Sequence, residues 1–416
     1  MNNQKDVIIL GVGITGLGAG LTSGYPIYEA NNCPGGLCTS YYREGYRFEL
    51  SGGKWIFGVT PTLKRFLSSF GTLQEYTRSA SVYFSRYNIY IPYPIQNHLW
   101  KLGTNLAKEC LIELMAVSYD KPDTMLEWLY QNFGDILTRL FFKPFNKRYT
   151  ADLCRRIAPQ DNHKSPLDIP LIIQGAFEDT KAVGYNINFM YPKEGLAVLI
   201  NRMAEKCQIH YNKRAFKIDI DTKEVFFEDG TSEHYETLLS TLPLDKMLEM
   251  THLQVESKPD PYTSVLVVNI GAERGPNCPD DHWLYIPDSV SGFHRVGFYS
   301  NVDKSFLPPG SKNKVSLYVE KAYKAGQKPS PSEIGEYVQK TVKELIEWGF
   351  VGNVEVISSH WIETAYTWKW PESTWKQEAI DTLETHDIIQ MGRYGRWQFQ
   401  GIAESLREGL LGGIAI

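Results

Sequence analysis

The order of apolar and polar residues along the chain predicts elements of different kinds. Val7 to Leu10 is a short apolar run, rich in β-branched residues, that ends at glycine and predicts a buried strand. From Leu99 to about Phe145, apolar residues recur at helical spacing and predict a small helical bundle. Residues 263–320 contain alternating runs, such as 264–269 and 314–318, which predict antiparallel strands.

Further elements are predicted in two later parts of the chain. Alternation at 216–220 and 225–227 predicts a hairpin across an acidic turn, followed by the apolar run 238–242. Near the C-terminus, residues 387–391 predict a strand that enters a Gly-Arg turn. A helical pattern follows from about Ser405.

A glycine-rich stretch between the first strand and a predicted helix carries the clearest chemical signal, Gly11-Val12-Gly13-Ile14-Thr15-Gly16. The first glycine of such a motif makes the tight turn, the second lets a pyrophosphate approach, and the third lets helix and strand pack closely. The helix N-terminus adds N–H groups and partial positive charge. Glu29 ends the next apolar segment, where a carboxylate can accept from ribose hydroxyls. We therefore predict dinucleotide binding rather than a loop that only turns.

Composition and charge restrict the possible partners. The chain has 416 residues, which corresponds to about three domain-sized units. Its net charge of -5 lacks the positive field of a nucleic-acid-binding protein. No run reaches the ~20 apolar residues of a membrane span, so we expect a cytoplasmic protein. Aromatic residues make up 13% of the chain, and this excess has no assigned role from composition alone.

The six cysteines are scattered and form no CxxC pair, which disfavours a zinc site or a disulfide framework. No metal is expected. Cys33 and Cys38 flank a Pro-Gly-Gly turn. A redox pair is one interpretation of these two thiols, but an ordinary role as small residues is favoured.

The segment after Glu29 distinguishes between nucleotide cofactors. It reads Ala30-Asn31-Asn32-Cys33-Pro34-Gly35-Gly36-Leu37. This acid followed by a Gly-Gly turn resembles the superfamily of FAD-dependent amine oxidases and phytoene desaturases, in which a second glycine pair packs beside the flavin ribityl and pyrophosphate. The resemblance implies FAD, and the absence of a second GxGxxG gives no sign of a separate NAD domain. It also implies that later segments return to the FAD domain.

The resulting fold prediction is α/β: a discontinuous Rossmann-like FAD-binding domain with a helical-bundle insert and an antiparallel β-sheet substrate domain. The predicted boundaries are 1–75, 185–242 and 385–416 for the FAD-binding domain, 76–184 for the helical insert, and 243–384 for the sheet.

A closer resemblance is to the UDP-galactopyranose mutase family, above all to its eukaryotic-type members. It rests on Trp283-Leu284-Tyr285, then Arg295 and the Phe298-Tyr299-Ser300-Asn301 turn. In that family the tyrosine touches the uridine and the arginine grips the diphosphate. Further matches are Arg156-Ile157-Ala158-Pro159, Gly392-Arg393-Tyr394-Gly395-Arg396-Trp397, Pro144-Phe145-Asn146-Lys147-Arg148-Tyr149 and Ala365-Tyr366-Thr367-Trp368.

These resemblances imply three sets of site residues. The catalytic set is Arg156, Arg295 and Lys54. The substrate-binding set is Tyr149, Trp283, Tyr285, Asn301, Tyr366 and Phe399. The cofactor-binding set is Gly11, Gly13, Ile14, Thr15, Gly16, Glu29, Gly35, Gly36, Leu37, Gly53, Gly392, Arg393 and Ile402.

Two positions depart from the family pattern. Gly52-Gly53-Lys54-Trp55-Ile56-Phe57 is similar to the family's Gly-Gly-His-Val-Ile-Phe loop, but Lys54 replaces the histidine near the flavin N5 atom. A lysine titrates near neutrality only when it is strongly desolvated. Phe399 replaces a tyrosine whose hydroxyl bonds the diphosphate in the family. These departures point to a different sugar, a different nucleotide, or a compensating group such as Gln398.

The resemblance implies a flavin-dependent mutase that interconverts the pyranose and furanose forms of a UDP-sugar, with reduced flavin N5 as nucleophile at the anomeric carbon. UDP-galactose is the family default. An external reductant is then needed, with NAD(P)H as a candidate, and the helical insert is a candidate contact in a homo-oligomer. The alternatives are an FAD-dependent amine oxidase or desaturase, and a flavin-binding protein without activity.

Overall fold

The computed structural model describes residues 6–116, 121–159, 167–180 and 187–416. The strands of these ranges are β1 (Val7–Leu10), β2 (Ile27–Tyr28), β3 (Ser40–Arg43), β4 (Tyr46–Glu49), β5 (Ile56–Phe57), β6 (Leu73–Thr77), β7 (Ala80–Phe84), β8 (Ile89–Pro92), β9 (Asn188–Pro192), β10 (Ile209–His210), β11 (Ala215–Asp219), β12 (Glu224–Phe227), β13 (Ser232–His234), β14 (Thr237–Ser240), β15 (Tyr262–Arg274), β16 (Trp283–Tyr285), β17 (Arg295–Phe298), β18 (Lys314–Lys324), β19 (Val351–Thr367) and β20 (Ile388–Gln390).

The α-helices of the same ranges are α1 (Ile14–Ser23), α2 (Pro61–Ser68), α3 (Thr104–Met115), α4 (Met125–Leu137), α5 (Lys143–Tyr149), α6 (Ile169–Gln174), α7 (Leu196–Ala204), α8 (Leu244–Thr251), α9 (Tyr299–Val302), α10 (Pro331–Glu347), α11 (Trp375–Glu384), α12 (Gly392–Gly395) and α13 (Ile402–Ala415). Among the helices described, none is both long and apolar enough to cross a membrane.

A parallel sheet forms the first layer, with the strand order β10-β2-β1-β14-β20. The predicted strand at Val7–Leu10 and the helix after the glycine motif are confirmed as β1 and α1. The sheet takes strands from the N-terminal, central and C-terminal parts of the chain. The layer is therefore discontinuous in sequence, as in the predicted fold class.

Helix α13 lies backbone to backbone against α1 on this layer. A Cβ atom on Gly409 would lie 2.1 Å from the carbonyl oxygen of Thr15, and one on Gly18 would lie 2.8 Å from that of Leu406. Such separations leave no space for a side chain, so glycine is required on both helices. The contact joins the two ends of the chain.

A seven-stranded sheet forms the second layer, with the order β19-β15-β18-β17-β16-β7-β8. Its neighbours are antiparallel except for β16 and β7, which run parallel. The antiparallel strands predicted from alternation are confirmed as β15 and β18. Strands β7 and β8 come from within residues 76–184, the segment predicted as the helical insert, and they extend this sheet.

The helical segment packs through its own apolar core. Leu129, Phe133 and Leu137 of α4 lie there with Phe141 and Phe142, which follow in a π-helical turn. The bundle predicted from helical spacing between Leu99 and Phe145 is confirmed. The chain leaves it through α5, which contacts β18 of the large sheet.

Three smaller units complete the described part of the chain: the hairpin β3–β4, the sheet β5-β9-β6 and the sheet β11-β12-β13. The hairpin predicted near 216–227 is confirmed as β11 and β12. Helices α8 and α11 lie in one core cluster with β1 and β14 residues, although residues 243–384 are predicted as the sheet domain. The domain boundaries stay a prediction.

Candidate active site

A cavity of about 480 Å³ opens beyond the carboxyl ends of the parallel strands. Its wall contains residues that directly follow β1, β2 and β14, and it continues to α12 and the start of α13. Open parallel sheets bind ligands at this edge because the strand order reverses there. We call this feature the glycine-walled cavity, after the glycines that line it, Gly11, Gly13, Gly35, Gly36, Gly392 and Gly401.

The three glycines of the motif have separate structural roles. Gly11 has a φ of +90°, which favours glycine in the tight turn. A Cβ on Gly16 would lie 1.9 Å from the carbonyl oxygen of Gly11, so this glycine lets helix and turn pack. A Cβ on Gly13 would meet nothing within 4 Å. Because Gly13 faces open space on the cavity wall, a ligand can approach its backbone there.

Glu29 is buried and anchors the glycine motif. Its Oε2 atom accepts from the N–H of Val12 at 3.0 Å. Its Oε1 atom accepts from the backbone N–H and the side-chain amide of Asn31, at 2.8 Å and 2.7 Å. The carboxylate also borders the cavity. It therefore holds the turn while it faces the ligand space.

The opposite end of the cavity is formed by α12 and the N-terminus of α13. The predicted Gly-Arg turn is a short helix, and α13 begins at Ile402, three residues before the predicted start at Ser405. The N–H of Gly401 donates to Glu404 Oε2 at 2.8 Å. Gly401 and Ile402 line the cavity, so the positive end of the helix dipole favours negative charge there.

Most residues of the predicted cofactor set are brought together on this wall. Gly16 and Gly53 are outside it: Gly16 packs the helix, and a Cβ on Gly53 would lie 2.4 Å from the Tyr318 hydroxyl. The residues of the set that line the cavity are Gly11, Gly13, Ile14, Thr15, Glu29, Gly35, Gly36, Leu37, Gly392, Arg393 and Ile402.

Sequence reasoning missed several lining residues. The first group follows β14 and consists of Thr241, Leu242 and Pro243. The others are Lys213 and Arg214, which precede β11, and Gln400 and Gly401, which precede α13. The apolar run 238–242 gave a signal for the first group, because residues after a parallel strand meet the ligand edge. Lys213 and Arg214 gave none, since their place depends on how β11 packs beside the first layer.

Lys54 lies on the inner wall of the cavity, half-buried. Burial lowers the pKa of its ammonium group, and nearby Arg393 lowers it further. The acidic groups that oppose this shift are Cys38, Glu320 and Glu49. Burial raises the pKa of the Cys38 thiol to about 11, so this cysteine is a protonated wall residue at neutral pH.

Beside the inner end of the cavity, three tyrosines and two arginines converge. The Tyr149 and Tyr366 ring centres lie 4.8 Å apart. The guanidinium carbon of Arg295 lies 5.5 Å from the ring centre of Tyr285, and that of Arg393 lies 5.4 Å from that of Tyr366. We call these five residues the tyrosine–arginine cluster. Arg393 also lines the glycine-walled cavity, so the two features share a side chain.

Cross-strand register places two members of the cluster. Tyr285 on β16 lies opposite Arg295 on β17, and directly opposed residues project from the same face of a sheet. Arg295 Nη1 lies 3.5 Å from Glu320 Oε2. Arg295 Nε is buried without a hydrogen-bond partner in the described part of the chain. A half-buried guanidinium with an unpaired, buried Nε donor is suited to an anionic acceptor.

Burial raises the pKa of the tyrosine hydroxyls in this cluster. The pKa of Tyr149 lies well above its ordinary value, chiefly because the side chain is buried, and the pKa of Tyr366 is raised for the same reason. Both hydroxyls are therefore neutral donors at physiological pH.

The remaining predicted substrate residues lie elsewhere. Trp283 is buried in the core, with its ring 6.4 Å from those of Phe57 and Phe189. Asn301 holds a loop: its amide donates to the carbonyls of Pro279 and Asp281, each at 2.8 Å.

The other two candidates lie at the surface. Arg156 is exposed, with its guanidinium carbon 5.8 Å from the Trp370 ring centre. Phe399 is half-exposed, and the Arg393 guanidinium carbon lies 4.7 Å from its ring centre. Phe399 thus borders the cluster through Arg393, whereas the aromatic neighbour of Arg156 is Trp370, outside the cluster.

Within the described ranges, no group of three or more His, Cys, Asp or Glu side chains is arranged to hold a metal ion. The cysteines of these ranges are free thiols, with Cys33 exposed and Cys38 buried.

Comparisons with known proteins agree with this architecture. The sequence model of the family described as flavin containing amine oxidoreductase matches residues 176–410. The structure is similar to that of a reduced UDP-galactopyranose mutase, with a TM-score of 0.86 and 24% identity over 99% of this chain and 95% of that one.

Two other solved structures share the fold at lower similarity. A candidate protoporphyrinogen oxidase from Exiguobacterium sp. 255-15 gives a TM-score of 0.75 and 14% identity, over 99% of this chain and 98% of that one. A CLA-producing fatty acid isomerase from P. acnes gives 0.62 and 15%, over 99% and 98% of the two chains. The predicted α/β fold class is confirmed, and oxidases and isomerases are both found among its structural neighbours.

Proposed function

The chain belongs to the flavin containing amine oxidoreductase family, and from that premise we propose that it is a flavin-dependent mutase that interconverts the pyranose and furanose forms of a UDP-sugar. The observation that carries the proposal is the tyrosine–arginine cluster beside the inner end of the glycine-walled cavity. A diphosphate between a sugar and a base needs guanidinium groups, and a uracil ring needs aromatic faces. The structural likeness to a reduced UDP-galactopyranose mutase supports the same assignment.

The cavity residues fit FAD. The open face of Gly13 and the approach of Gly36, whose Cβ would lie 3.4 Å from Gly13 Cα, form a backbone cradle for a pyrophosphate. Glu29 faces the ligand space for a ribose, and the α13 N-terminus favours a negatively charged ring system. In its reduced form the bound flavin would supply the nucleophile for the anomeric carbon of the sugar.

The residues of this chain would then act on the leaving diphosphate. Arg295 and Arg393, which lie against Tyr285 and Tyr366, would stabilise the negative charge that develops as the sugar–phosphate bond breaks. Tyr149 and Tyr366 are neutral hydroxyl donors beside them. Arg156, on the exposed side, would turn inward from Trp370 to complete the clamp.

Lys54 would be the positive group on the flavin side of the sugar. It lies on the cavity wall, and both the anionic Glu320 and the cationic Arg393 are near enough to influence its pKa. A cation at this position stabilises a reduced, negatively charged flavin. Its lowered pKa brings the loss of that charge closer to neutral pH than for an ordinary lysine.

The test is a panel of nucleotide sugars incubated with dithionite-reduced, FAD-loaded protein, with products separated by chromatography. We expect furanose product from at least one UDP-sugar, with UDP-galactopyranose tried first, and none from the oxidised protein. A parallel arm replaces dithionite with NADPH or NADH to identify a physiological reductant.

The competing function is an oxidase or desaturase, for which the family itself is the supporting observation. An oxidase turns over with oxygen and needs no reductant. Oxygen consumption with amine or porphyrinogen substrates, without furanose product from any nucleotide sugar, would overturn the mutase proposal.

A further inference from the structure

Glu320 is a buried carboxylate at the junction of the tyrosine–arginine cluster and the Lys54 loop. It lies on β18 directly opposite Arg295 of β17, and its residue is only 4% exposed. Its Oε2 atom lies 3.5 Å from Arg295 Nη1 and 3.4 Å from His294 Nε2. No motif in the sequence marked this residue.

The turn before Lys54 is shaped around the same carboxylate. Gly52 has a φ of +78°, and a Cβ on it would lie 2.6 Å from Glu320 Oε1. Glycine at this position therefore lets the loop lie directly against the carboxylate. Glu320 thus faces the substrate-side arginine with one oxygen and the cavity-side loop with the other.

Charge balance decides the state of this group. Burial alone would raise the pKa of Glu320, but Arg295 and then His294 outweigh it and lower the pKa to about 2. Burial lowers the pKa of His294, so its ring is neutral at physiological pH. The negative charge of Glu320 is therefore balanced by Arg295, with Lys54 as a further cationic neighbour.

A substrate diphosphate and Glu320 would both use the Arg295 guanidinium. With Glu320 present, Arg295 is already neutralised before any ligand arrives, and the incoming dianion meets a like charge. Without Glu320, the arginine charge would be unpaired in the free protein and paired only in the complex. Removal of one member of a buried ion pair leaves the other uncompensated, and a ligand of the missing sign can relieve that cost.

We propose that Glu320 is a positioning residue that orients Arg295 and, by competing with the nucleotide diphosphate for it, keeps the diphosphate affinity low enough for product release. This inference rests on the proposed function for the identity of the ligand. It leads to an unusual expectation: removal of the Glu320 charge strengthens the binding of UDP while it slows turnover.

The experiment measures the dissociation constants of UDP and inorganic pyrophosphate by calorimetry, on FAD-loaded wild-type protein and on Glu320→Gln. We expect both ligands to bind about tenfold tighter to the variant, which is the equivalent of roughly 1.4 kcal/mol. With the substrate identified by the sugar panel, kcat should fall together with KM. A residue that only supports the fold would weaken binding when it is changed.

Two further variants keep the result interpretable. Glu320→Asp retains the charge and should bind UDP within about twofold of wild type, which is less than 0.5 kcal/mol. Glu320→Ala replaces Glu320→Gln if the latter fails to load FAD. The matched control is Glu355→Gln, which removes a carboxylate paired with Lys314 on the same sheet and should leave UDP affinity unchanged.

Unchanged or weaker UDP binding in a folded, FAD-loaded charge-removal variant would overturn the inference, as would a wild-type protein that binds neither UDP nor pyrophosphate. The outcome is separable from that of the proposed function. If the charge-removal variant binds UDP more tightly but no furanose product forms, the mutase proposal is refuted and the role of Glu320 stands. If furanose product forms but UDP binding is unchanged, the mutase proposal stands and the role of Glu320 is refuted.

Discussion

The glycine-walled cavity and the tyrosine–arginine cluster lie side by side and share Arg393, yet they are built in opposite ways. The cavity is shaped by backbone: tight turns, the open face of Gly13 and two helix N-termini. The cluster is shaped by side chains from β16, β17, β19, α5 and α12, brought together by strand register and packing. A backbone wall such as the turn at residues 11–16 is specified by a short local motif, whereas a wall of side chains depends on how distant strands and helices are placed.

The substitution with the largest expected effect changes the tyrosine–arginine cluster alone. Arg295→Met removes the guanidinium from the face of Tyr285 and should lower kcat/KM for the UDP-sugar by about 100- to 1000-fold, the range for loss of one charge-stabilising donor. Flavin content, measured by absorbance, should remain that of wild type because Arg295 does not line the cavity.

A matched control is Arg274→Met, since Arg274 lies on the same sheet and pairs with Asp280. It should retain more activity than Arg295→Met. Loss of FAD from Arg295→Met would show that the two regions are not separable.

The next effect concerns Glu49, a buried carboxylate near Lys54 that accepts from the hydroxyls of Tyr191 and Ser40. Burial raises its pKa from 4.5 to about 7. Between these values the folded protein binds more protons than the unfolded chain, so the free energy of unfolding falls as pH rises. The loss is about 3 kcal/mol across this window.

Glu49→Gln cannot titrate and should lack this loss, which urea unfolding of FAD-loaded protein at a series of pH values would measure. Glu363→Gln, an exposed carboxylate on β19, is the control and should follow wild type. Parallel stability curves for wild type and Glu49→Gln would contradict the raised pKa.

A substitution with a smaller expected effect changes the glycine-walled cavity alone. Gly13→Ala places a methyl group where the structure has open space, so the fold should stand, but the methyl group would meet the ligand. Overpacking costs about 1–3 kcal/mol, which corresponds to about 5- to 150-fold in FAD affinity. Fluorescence titration of the apoprotein with FAD measures it.

Gly335→Ala is the matched control, because a Cβ on Gly335 also meets nothing within 4 Å and this glycine lies on α10, outside the cavity wall. Equal FAD affinities for the two variants would show that Gly13 does not face the cofactor.

The smallest effect lies where the two regions meet. Phe399→Tyr adds a hydroxyl beside Arg393 at a half-exposed position. One added hydrogen bond is worth about 0.5–1.5 kcal/mol, so UDP should bind about 2- to 12-fold tighter. A calorimetric Kd equal to that of wild type would show that this ring does not approach the diphosphate.

The difference between the two regions also explains how far the sequence could predict them. The strand, glycine turn and helix at 7–23 are local, and they formed as predicted. Arg295 and Tyr285 could be named only by resemblance, because no local pattern tells which residues of two strands will be opposed. Glu320 left no signal at all, since a lone glutamate in an apolar strand becomes meaningful only when its cross-strand partner is known.

Some residues of the recognised motif lie away from the site, and the sequence could not distinguish them from those that form it. Trp283 and Asn301 belong to the same segment as Tyr285 and Arg295 but project into core packing and loop closure. Trp283 lies two residues before Tyr285 on the same face of β16 but packs against Phe57 and Phe189, and Asn301 lies on α9, so a shared motif does not imply a shared pocket. Their predicted substrate role remains a proposal. The glycines of the cavity wall were easier to predict, because backbone contacts do not depend on which way a side chain points.

The packing of α13 on α1 has a consequence for biosynthesis. Two walls of the glycine-walled cavity come from the N-terminal and C-terminal parts of the chain, and glycines on α1 and α13 let the two helices pack backbone to backbone. While the chain is still on the ribosome, the nucleotide motif near its start has been made but its closing helix has not. If the cavity holds the flavin as proposed, stable cofactor capture would wait for the synthesis of residues 392–415, and a chain that stops before them would be expected to lack the cofactor.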